Sequence, residues 1–187
     1  WNMTPENVKA VFSSKTKAII LVHIFGINAW NDKFKGFNVP IIEDNCQAFG
    51  LEEKGKLQGL KGDMAVYSFH ATKCLATGEG GMLATNDQNY KTALRKKNDH
   101  QPFCRMTDLQ ASLGISQLAQ YNEMKERRKK IASSYLERLP QDFIINTKKI
   151  ADNTIYFRFL ITIRNIEIDS CIEYFSKKGI AVRRGVD

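Results

Sequence analysis

The sequence predicts an α/β fold built on a mostly parallel sheet. Its first half contains apolar runs of strand length that are rich in Val and Ile and do not strictly alternate, which is typical of a sheet covered on both faces. The segments between these runs suit crossover connections rather than tight hairpins. Long amphipathic helical patterns follow in the second half of the chain. Together these observations predict the α/β class.

The strands of this sheet are expected at four apolar runs. The predicted strands are Lys17–Ile24, Val39–Asp44, Asp63–His70 and Gly80–Asp87. The polar stretch NDKFKGFN before the second strand is interpreted as a connection. The stretch TGEGGM lacks the glycine spacing of dinucleotide-binding and Walker A loops, so it predicts a turn that leads into the fourth strand.

Helical patterns follow the fourth strand. The segment Asp87–His100 predicts one helix, and Met106–Leu139 predicts a long amphipathic helix. Thr107 is expected to be the N-cap of the second helix, and Gly114 is a candidate bend within it. The basic cluster Lys125–Lys130 falls inside this helical pattern.

The last third of the chain predicts a second, smaller α+β unit. Thr154–Ile163 is an apolar run of strand length that contains Arg158. Asp169–Ile180 predicts a helix closed by Gly179, and the stretch AVRR after it is a candidate strand. We therefore expect a large domain over residues 1–139 and a small domain over residues 140–187.

Composition narrows the class of protein. The 187 residues are 43% apolar and 26% charged, which is typical of a globular chain. The net charge is +8, but the chain shows no zinc-finger spacing and no aromatic-glycine RNA signature, so we interpret the basic residues as solvated helix faces and expect no nucleic-acid partner. No apolar run approaches the ~20 residues that span a bilayer, so no membrane partner is expected.

The cysteines do not indicate a metal centre. There are four, and none forms a C-x-x-C pair, so a structural zinc site is not expected: Cys46, Cys74, Cys104 and Cys171. Since nothing else suggests secretion, reduced thiols in a cytoplasm are the default interpretation.

Polar side chains gather where the predicted strands end. The second strand ends at Asp44, with Gln47 three residues later. The third ends in the stretch SFHATK, which offers Ser68, His70 and Lys73. In an open α/β sheet, ligands bind outside the carboxyl ends of the strands. A lysine held in a partly dry site can bond covalently to a carbonyl group, and a nearby carboxylate can keep a pyridinium nitrogen protonated. That pairing is what pyridoxal phosphate chemistry requires.

Each of these residues also has a structural interpretation. Asp44 could cap a turn, and Ser68 could be a hydrogen-bonded hydroxyl in the core. His23 and His70 are more often hydrogen-bonded wall residues than catalysts, and Lys73 could be a surface amine on a loop. Spacing alone therefore leaves both interpretations open.

Three segments carry a resemblance to a known family: PIIEDNCQAFG, GDMAVYSFHATKCLATGEGGMLATND and RMTDLQASLGISQLAQYNEMKERRKKIASSYLERL. In order and spacing they resemble the DegT/DnrJ/EryC1/StrS family. The resemblance extends from about residue 2 to the end of the chain. It implies the aspartate-aminotransferase-like fold (fold type I) and pyridoxal-phosphate-dependent transfer of an amino group, usually from glutamate, to a nucleotide-linked keto-sugar. It also implies a cytoplasmic homodimer that makes sugars for cell-surface polysaccharides or secondary metabolites.

The resemblance assigns roles to four residues of the candidate site. Lys73 matches the lysine that holds the cofactor covalently and moves the proton as acid and base. Asp44 matches the carboxylate on the pyridine nitrogen, Gln47 the residue on the side of the ring hydroxyl, and Ser68 a hydroxyl on the cofactor phosphate. Lys73 argues against the dehydratase branch of the family, which carries a histidine there.

The sequence also departs from the family pattern. Members are about twice as long, so residues 1–139 would be the central part of the large α/β/α domain. This part would lack the N-terminal strands, the small-residue and threonine segment that binds the cofactor phosphate, and the aromatic ring that stacks on the cofactor. Residues 140–187 would be the start of the small α+β domain. Phe103 occupies the position of an Asn that reaches the cofactor phosphate of the partner subunit. An enzyme and a non-catalytic relic or interaction module of the same fold are therefore both open. The chain alone is expected to bind the cofactor weakly or not at all.

Overall fold

The centre of the molecule is a four-stranded sheet. The computed structural model describes residues 1–53, 55–99, 105–140, 154–163 and 165–185. The strands lie in the spatial order β1 (Ile19–Val22), β2 (Ile41–Asp44), β5 (Met64–Ser68) and β6 (Gly81–Ala84). The first three are parallel, whereas β6 is antiparallel to β5. The predicted α/β class and mostly parallel sheet are confirmed, and each of these four strands lies inside a predicted run.

One face of β1 and β2 carries the core. Ile19, Leu21 and Ile41 are buried there, together with Phe34 from the connection between the two strands. A short first helix, α1 (Pro5–Val11), packs Val8 into the same cluster. The sequence analysis missed α1, although Thr4 and Asn7 form a capping box at its start. The opposite face is open within this chain, because alternate residues of β1 and β6 point outward, Ile20 (57% exposed) and Leu83 (54% exposed) among them.

The helical part of the chain follows the sheet. It consists of α2 (Gln88–Asp99), α3 (Asp108–Ala119) and α4 (Tyr121–Arg138). Thr107 caps α3, as predicted, in a capping box with Gln110. The predicted single helix over Met106–Leu139 is instead two helices that meet at Gln120 (φ −102°, ψ 0°) and not at Gly114. Gly114 serves close packing, because a Cβ there would lie 3.1 Å from Thr77 Cγ2.

The structure corrects the expectation of a strand at Thr154–Ile163. Thr154 makes only an isolated antiparallel bridge to Ile27, and Tyr156 has a positive φ of 50°, which interrupts an extended strand. The apolar residues of this segment are buried in another way. Ile155 and Phe157 pack against Ala48 and Leu51, so the segment joins the core beside the sheet.

The remaining elements are short. A two-stranded hairpin, β3 (Glu52–Glu53) and β4 (Lys56–Leu57), was not predicted. The last helix, α5 (Ile168–Lys177), begins one residue before the predicted segment and ends inside it, and Gly179 (φ 73°) follows it as expected. The candidate strand at AVRR is wrong, since residues 181–184 adopt no strand.

Two expectations concern residues that the structure does not describe or that border such residues. Phe103 belongs to the stretch 100–104, which the structure does not describe. The boundary expected between residues 139 and 140 borders another such stretch, 141–153, and it stays a prediction. Within the described ranges, no helix is both long enough and apolar enough to cross a membrane.

Candidate active site

The carboxyl ends of two neighbouring parallel strands form the site. Asp44 is the last residue of β2, and Ser68 is the last residue of β5. The two strands pair with Asp44 beside Val66, so both ends lie at the same edge of the sheet. Lys73 lies in the loop after β5, where its backbone N–H donates to His70 O at 2.9 Å. The loop that carries Lys73 therefore starts at the edge at which the strands end.

Asp44 and Lys73 both act on the thiol of Cys46. The backbone N–H of Cys46 donates to Asp44 Oδ1 at 2.9 Å. Burial and, after it, the hydrogen bond and negative charge of Asp44 raise the pKa of the Cys46 thiol to about 12, while the positive charge of Lys73 opposes that rise. The carboxylate and the amine thus both lie within electrostatic range of a single half-buried side chain.

Gln47 is held by a strained loop after β1. Phe25 donates its backbone N–H to Gln47 Oε1 at 2.7 Å. Phe25 itself has a φ of 57°, and Gly26 (φ 81°) lies so close that a Cβ would be 2.9 Å from Gln47 O. Because the carboxamide oxygen of Gln47 is already bonded, its NH₂ group is what the side chain can offer to a ligand.

Ser68 and His70 have different surroundings. Ser68 Oγ accepts a hydrogen bond from the backbone N–H of His70 at 3.3 Å, which leaves the hydroxyl proton available as a donor. The His70 ring contacts Thr72 Oγ1 at 3.0 Å and Glu79 Oε1 at 3.6 Å, all within its own loop. His70 therefore shapes the loop that carries Lys73, in agreement with its structural interpretation.

The sequence analysis missed the apolar neighbour of Lys73. The Lys73 ammonium lies 5.4 Å from the centroid of the Phe157 ring, within the range of a cation–π contact. Phe157 comes from the run that the sequence predicted as a strand, and a strand gives no reason to place it beside Lys73. Its contact with Lys73 depends on the irregular backbone of that segment.

A buried polar pair lies on the other side of the strand ends. The interpretation of His23 as a hydrogen-bonded wall residue is confirmed, but its partner Glu43 was not predicted. His23 and Glu43 are both 0% exposed, and His23 Nε2 lies 3.0 Å from Glu43 Oε2. The backbone N–H of Ala29 donates to His23 Nδ1 at 3.0 Å, so Nε2 carries the proton that is donated to Glu43. The detectable signal was an acidic residue inside the apolar run VPIIED.

The other oxygen of Glu43 is equally well bonded. Glu43 Oε1 accepts the backbone N–H groups of Lys61 at 2.6 Å and Gly62 at 2.7 Å. Burial raises the pKa of the Glu43 carboxyl, but the hydrogen bonds from His23 and from the two backbone N–H groups outweigh that cost and lower the pKa below its ordinary value. Glu43 thereby joins the ends of β1 and β2 to the loop before β5.

The groups at the open edge fit pyridoxal phosphate chemically. An amine is present for the aldehyde and a carboxylate for the ring nitrogen, and an amide NH₂ and a hydroxyl can donate to the ring oxygen and the phosphate. The residues concerned are Lys73, Asp44, Gln47 and Ser68. Among the described residues, no group of three His, Cys, Asp or Glu could hold a metal ion.

The chain is similar in sequence and in structure to known proteins. The chain is 34% identical over 152 residues to GDP-perosamine synthase of Escherichia coli O157:H7, covering 72% of this chain and 42% of that protein. The structure superposes on DesI, solved in the presence of its TDP-sugar product, with a TM-score of 0.88 and 22% identity, covering 100% of this chain and 53% of that one. It also superposes on the E. coli GDP-4-keto-6-deoxy-D-mannose-3-dehydratase with bound hydrated PLP, with a TM-score of 0.80 and 20% identity, over 97% and 56% of the two chains.

The structural likenesses show that the fold is the fold type I architecture shared by these proteins. That fold hosts both amino transfer and dehydration, so it does not by itself decide the reaction. The chain spans about half the length of the relatives it matches. A family model matches residues 1–184, and with it the chain belongs to the DegT/DnrJ/EryC1/StrS aminotransferase family.

Proposed function

We propose that the protein is a pyridoxal-phosphate-dependent aminotransferase that moves an amino group from an amino acid, glutamate in our expectation, to a nucleotide-linked keto-sugar. The observation that carries this proposal is the convergence of the Asp44 carboxylate and the Lys73 ammonium on Cys46 at the carboxyl edge of the sheet. The family and the name of the 34% identical relative support the sugar substrate.

In this proposal each residue of the site has a separate task. Lys73 holds the cofactor and carries the proton to and from the reacting carbon, since its amine acts on the same thiol as the Asp44 carboxylate. Asp44 keeps a positive charge on the ring nitrogen. When bound, pyridoxal phosphate supplies an electron sink for that carbon. Gln47 donates its NH₂ to the ring oxygen, and Ser68 donates its hydroxyl to the phosphate.

We further propose that the protein works as a homodimer in the cytoplasm. Several apolar side chains of α3 point to solvent, among them Leu109 (82% exposed) and Ile115 (71% exposed), and such a surface fits a subunit contact. The thiols of Cys46, Cys74 and Cys171 are free, which fits a reducing compartment. Size-exclusion chromatography with light scattering measures the first point, and a monomer at micromolar concentration would contradict it.

The absorbance spectrum of the purified protein with pyridoxal phosphate tests the proposed function. At saturating pyridoxal phosphate, we expect Lys73→Ala to abolish any band of the lysine-bound cofactor that the wild type shows, because no other residue of the site can form that bond. The matched control is Lys56→Ala, an exposed lysine on β4, which should keep the band.

The result also decides between the enzyme and the non-catalytic relic of the same fold. A wild-type protein without the band would favour the relic. A band that survives in Lys73→Ala would remove Lys73 from its assigned role. Transfer of an amino group from glutamate to a nucleotide-linked keto-sugar, followed by mass spectrometry of the sugar, tests the reaction itself.

A further inference from the structure

Two cations lie over one buried aromatic ring. The Lys73 ammonium is 5.4 Å and the Arg158 guanidinium 4.3 Å from the centroid of Phe157, whose side chain is 6% exposed. Arg158 is exposed to solvent while Lys73 is half-buried. The Phe157 ring therefore holds the Arg158 guanidinium near Lys73, on the solvent side.

A third cation reaches the same place from α4. Burial raises the pKa of the Cys74 thiol, and the positive charges of Arg128, Arg158 and Lys73 each oppose that rise. All three side chains are consequently within electrostatic range of one thiol. Arg128 is fixed there because its Nη1 donates to Tyr156 O at 3.2 Å.

These three cations have no acidic partner among the residues that the structure describes. Arg158 Nη1 donates to Phe157 O at 3.3 Å, so each arginine uses one of its five N–H donors on a backbone carbonyl. Other basic residues of the chain are paired, such as Lys125 with Glu52 at 2.7 Å. Like charges that converge without an anion repel one another, and a bound anion would remove that repulsion.

We propose that Arg158, supported by Arg128, binds an oxyanion of the substrate beside Lys73, and that this oxyanion is the carboxylate of the amino donor. The assignment rests on the proposed function in taking Lys73 as the reacting group. The α-carboxylate is bonded to the carbon that loses the amino group, so it must lie close to Lys73 when that carbon reacts. A guanidinium matches a carboxylate with two parallel hydrogen bonds.

The diphosphate of a nucleotide-linked sugar offers the same oxyanion chemistry from a second source. It lies several bonds away from a ketone on the sugar ring, which makes it the less suitable occupant of a site beside Lys73. Calorimetric titration with glutarate and with inorganic pyrophosphate distinguishes the two sources. The wild type is compared with Arg158→Gln and with Arg127→Gln, an exposed arginine of α4 that removes the same charge elsewhere.

We expect Arg158→Gln to weaken glutarate binding by about tenfold or more, since it loses a charge-assisted contact, and Arg127→Gln to leave it unchanged. A loss confined to pyrophosphate would assign the site to the sugar diphosphate instead. Equal affinities in wild type and Arg158→Gln, an equal loss in Arg127→Gln, or no saturable binding of either probe by the wild type would overturn the proposal.

The cofactor spectrum separates this proposal from the one before it. Arg158→Gln should keep the band of the lysine-bound cofactor, because the residue is assigned to the substrate and not to the cofactor. A wild type that lacks the band but loses glutarate affinity on Arg158→Gln would refute the aminotransferase and leave the anion site standing. A normal band with unchanged glutarate affinity would refute the anion site alone.

Discussion

Glu43 and Asp44 are consecutive carboxylates at the end of β2, but they differ in burial and in hydrogen-bond partners. Glu43 is 0% exposed and accepts hydrogen bonds from His23 and from the backbone N–H groups of Lys61 and Gly62. Asp44 is half-buried on the other face, and its contacts are with Cys46. Successive side chains of a strand point to opposite faces, so one strand end supplies both environments.

The two faces suit different roles: the buried face at Glu43 stabilises the fold, and the open face at Asp44 is available for chemistry. The buried face around Glu43 has its polar groups satisfied, which fixes the ends of β1 and β2 against the loop at Lys61 and Gly62. The open face at Asp44 retains unused oxygen lone pairs that a ligand can engage. A substitution at Glu43 should thus change folding first, and a substitution at Asp44 should change only the chemistry.

The largest expected effect is that of Glu43→Ala. The substitution leaves a buried imidazole N–H and two backbone N–H groups without an acceptor, and breaking a buried pair in this way costs about 3–5 kcal/mol of the free energy of unfolding. Urea denaturation followed by circular dichroism measures it. The matched control is Glu79→Ala, which removes the exposed carboxylate near His70 and should leave the urea midpoint unchanged. Similar midpoints for the two variants would contradict the structural role of Glu43.

Part of that loss should appear in the wild type on acidification. The folded-state pKa of Glu43 is lowered, so its contribution is present above the ordinary value near pH 4.5 and is lost as the pH falls through the folded-state pKa. We expect the gap in unfolding free energy between the wild type and Glu43→Gln to shrink from pH 7 toward about pH 3. Urea midpoints at several pH values measure the gap. Parallel pH profiles for the two proteins would show that Glu43 is not the titrating group.

On the open face, Asp44→Asn should separate binding from turnover. The amide keeps the shape of the side chain and an acceptor for the Cys46 N–H, so the free energy of unfolding should change by less than about 0.5 kcal/mol. Loss of the charge on the ring nitrogen should lower kcat by about tenfold or more while the cofactor stays bound. Steady-state kinetics and a cofactor titration measure the two quantities, with Asp32→Asn as a distant control. Full activity in Asp44→Asn would remove the carboxylate from its proposed role.

The open face could be predicted from the sequence, because it depends on local order along the chain. Asp44 and Ser68 end apolar runs, and parallel strands place such ends at one edge. The buried face could not be predicted in the same way. The pairing of Glu43 with His23 depends on the register of β1 against β2, and its two further donors come from a loop about 20 residues away.

Other differences have equally specific causes. The run at Thr154–Ile163 has the composition of a strand, but Ile155 and Phe157 are buried against Ala48 and Leu51 instead of in a ladder. Apolar runs do not encode strand direction, so nothing in the sequence distinguished the antiparallel β6 from its parallel neighbours. Gly114 looked like a bend because glycine weakens a helix, whereas its missing Cβ makes room for Thr77.

The smallest expected effect concerns Cys46, the thiol between Asp44 and Lys73. Its pKa of about 12 makes it a poor nucleophile at neutral pH, and burial is the main cause, with Asp44 second.

In Asp44→Asn the negative charge is gone and the charge of Lys73 acts unopposed, so the pKa of Cys46 should fall while burial keeps it above the ordinary value. We expect the rate of alkylation of Cys46 by iodoacetamide to rise by a few fold, because the rate follows the thiolate fraction. Peptide mass spectrometry measures the rate, and Cys171 on α5 is the internal control whose rate should not change. If alkylation of Cys46 were equally slow in both proteins, the carboxylate would not act on this thiol, and the open face of the strand end would lack the charge pair on which its proposed chemistry depends.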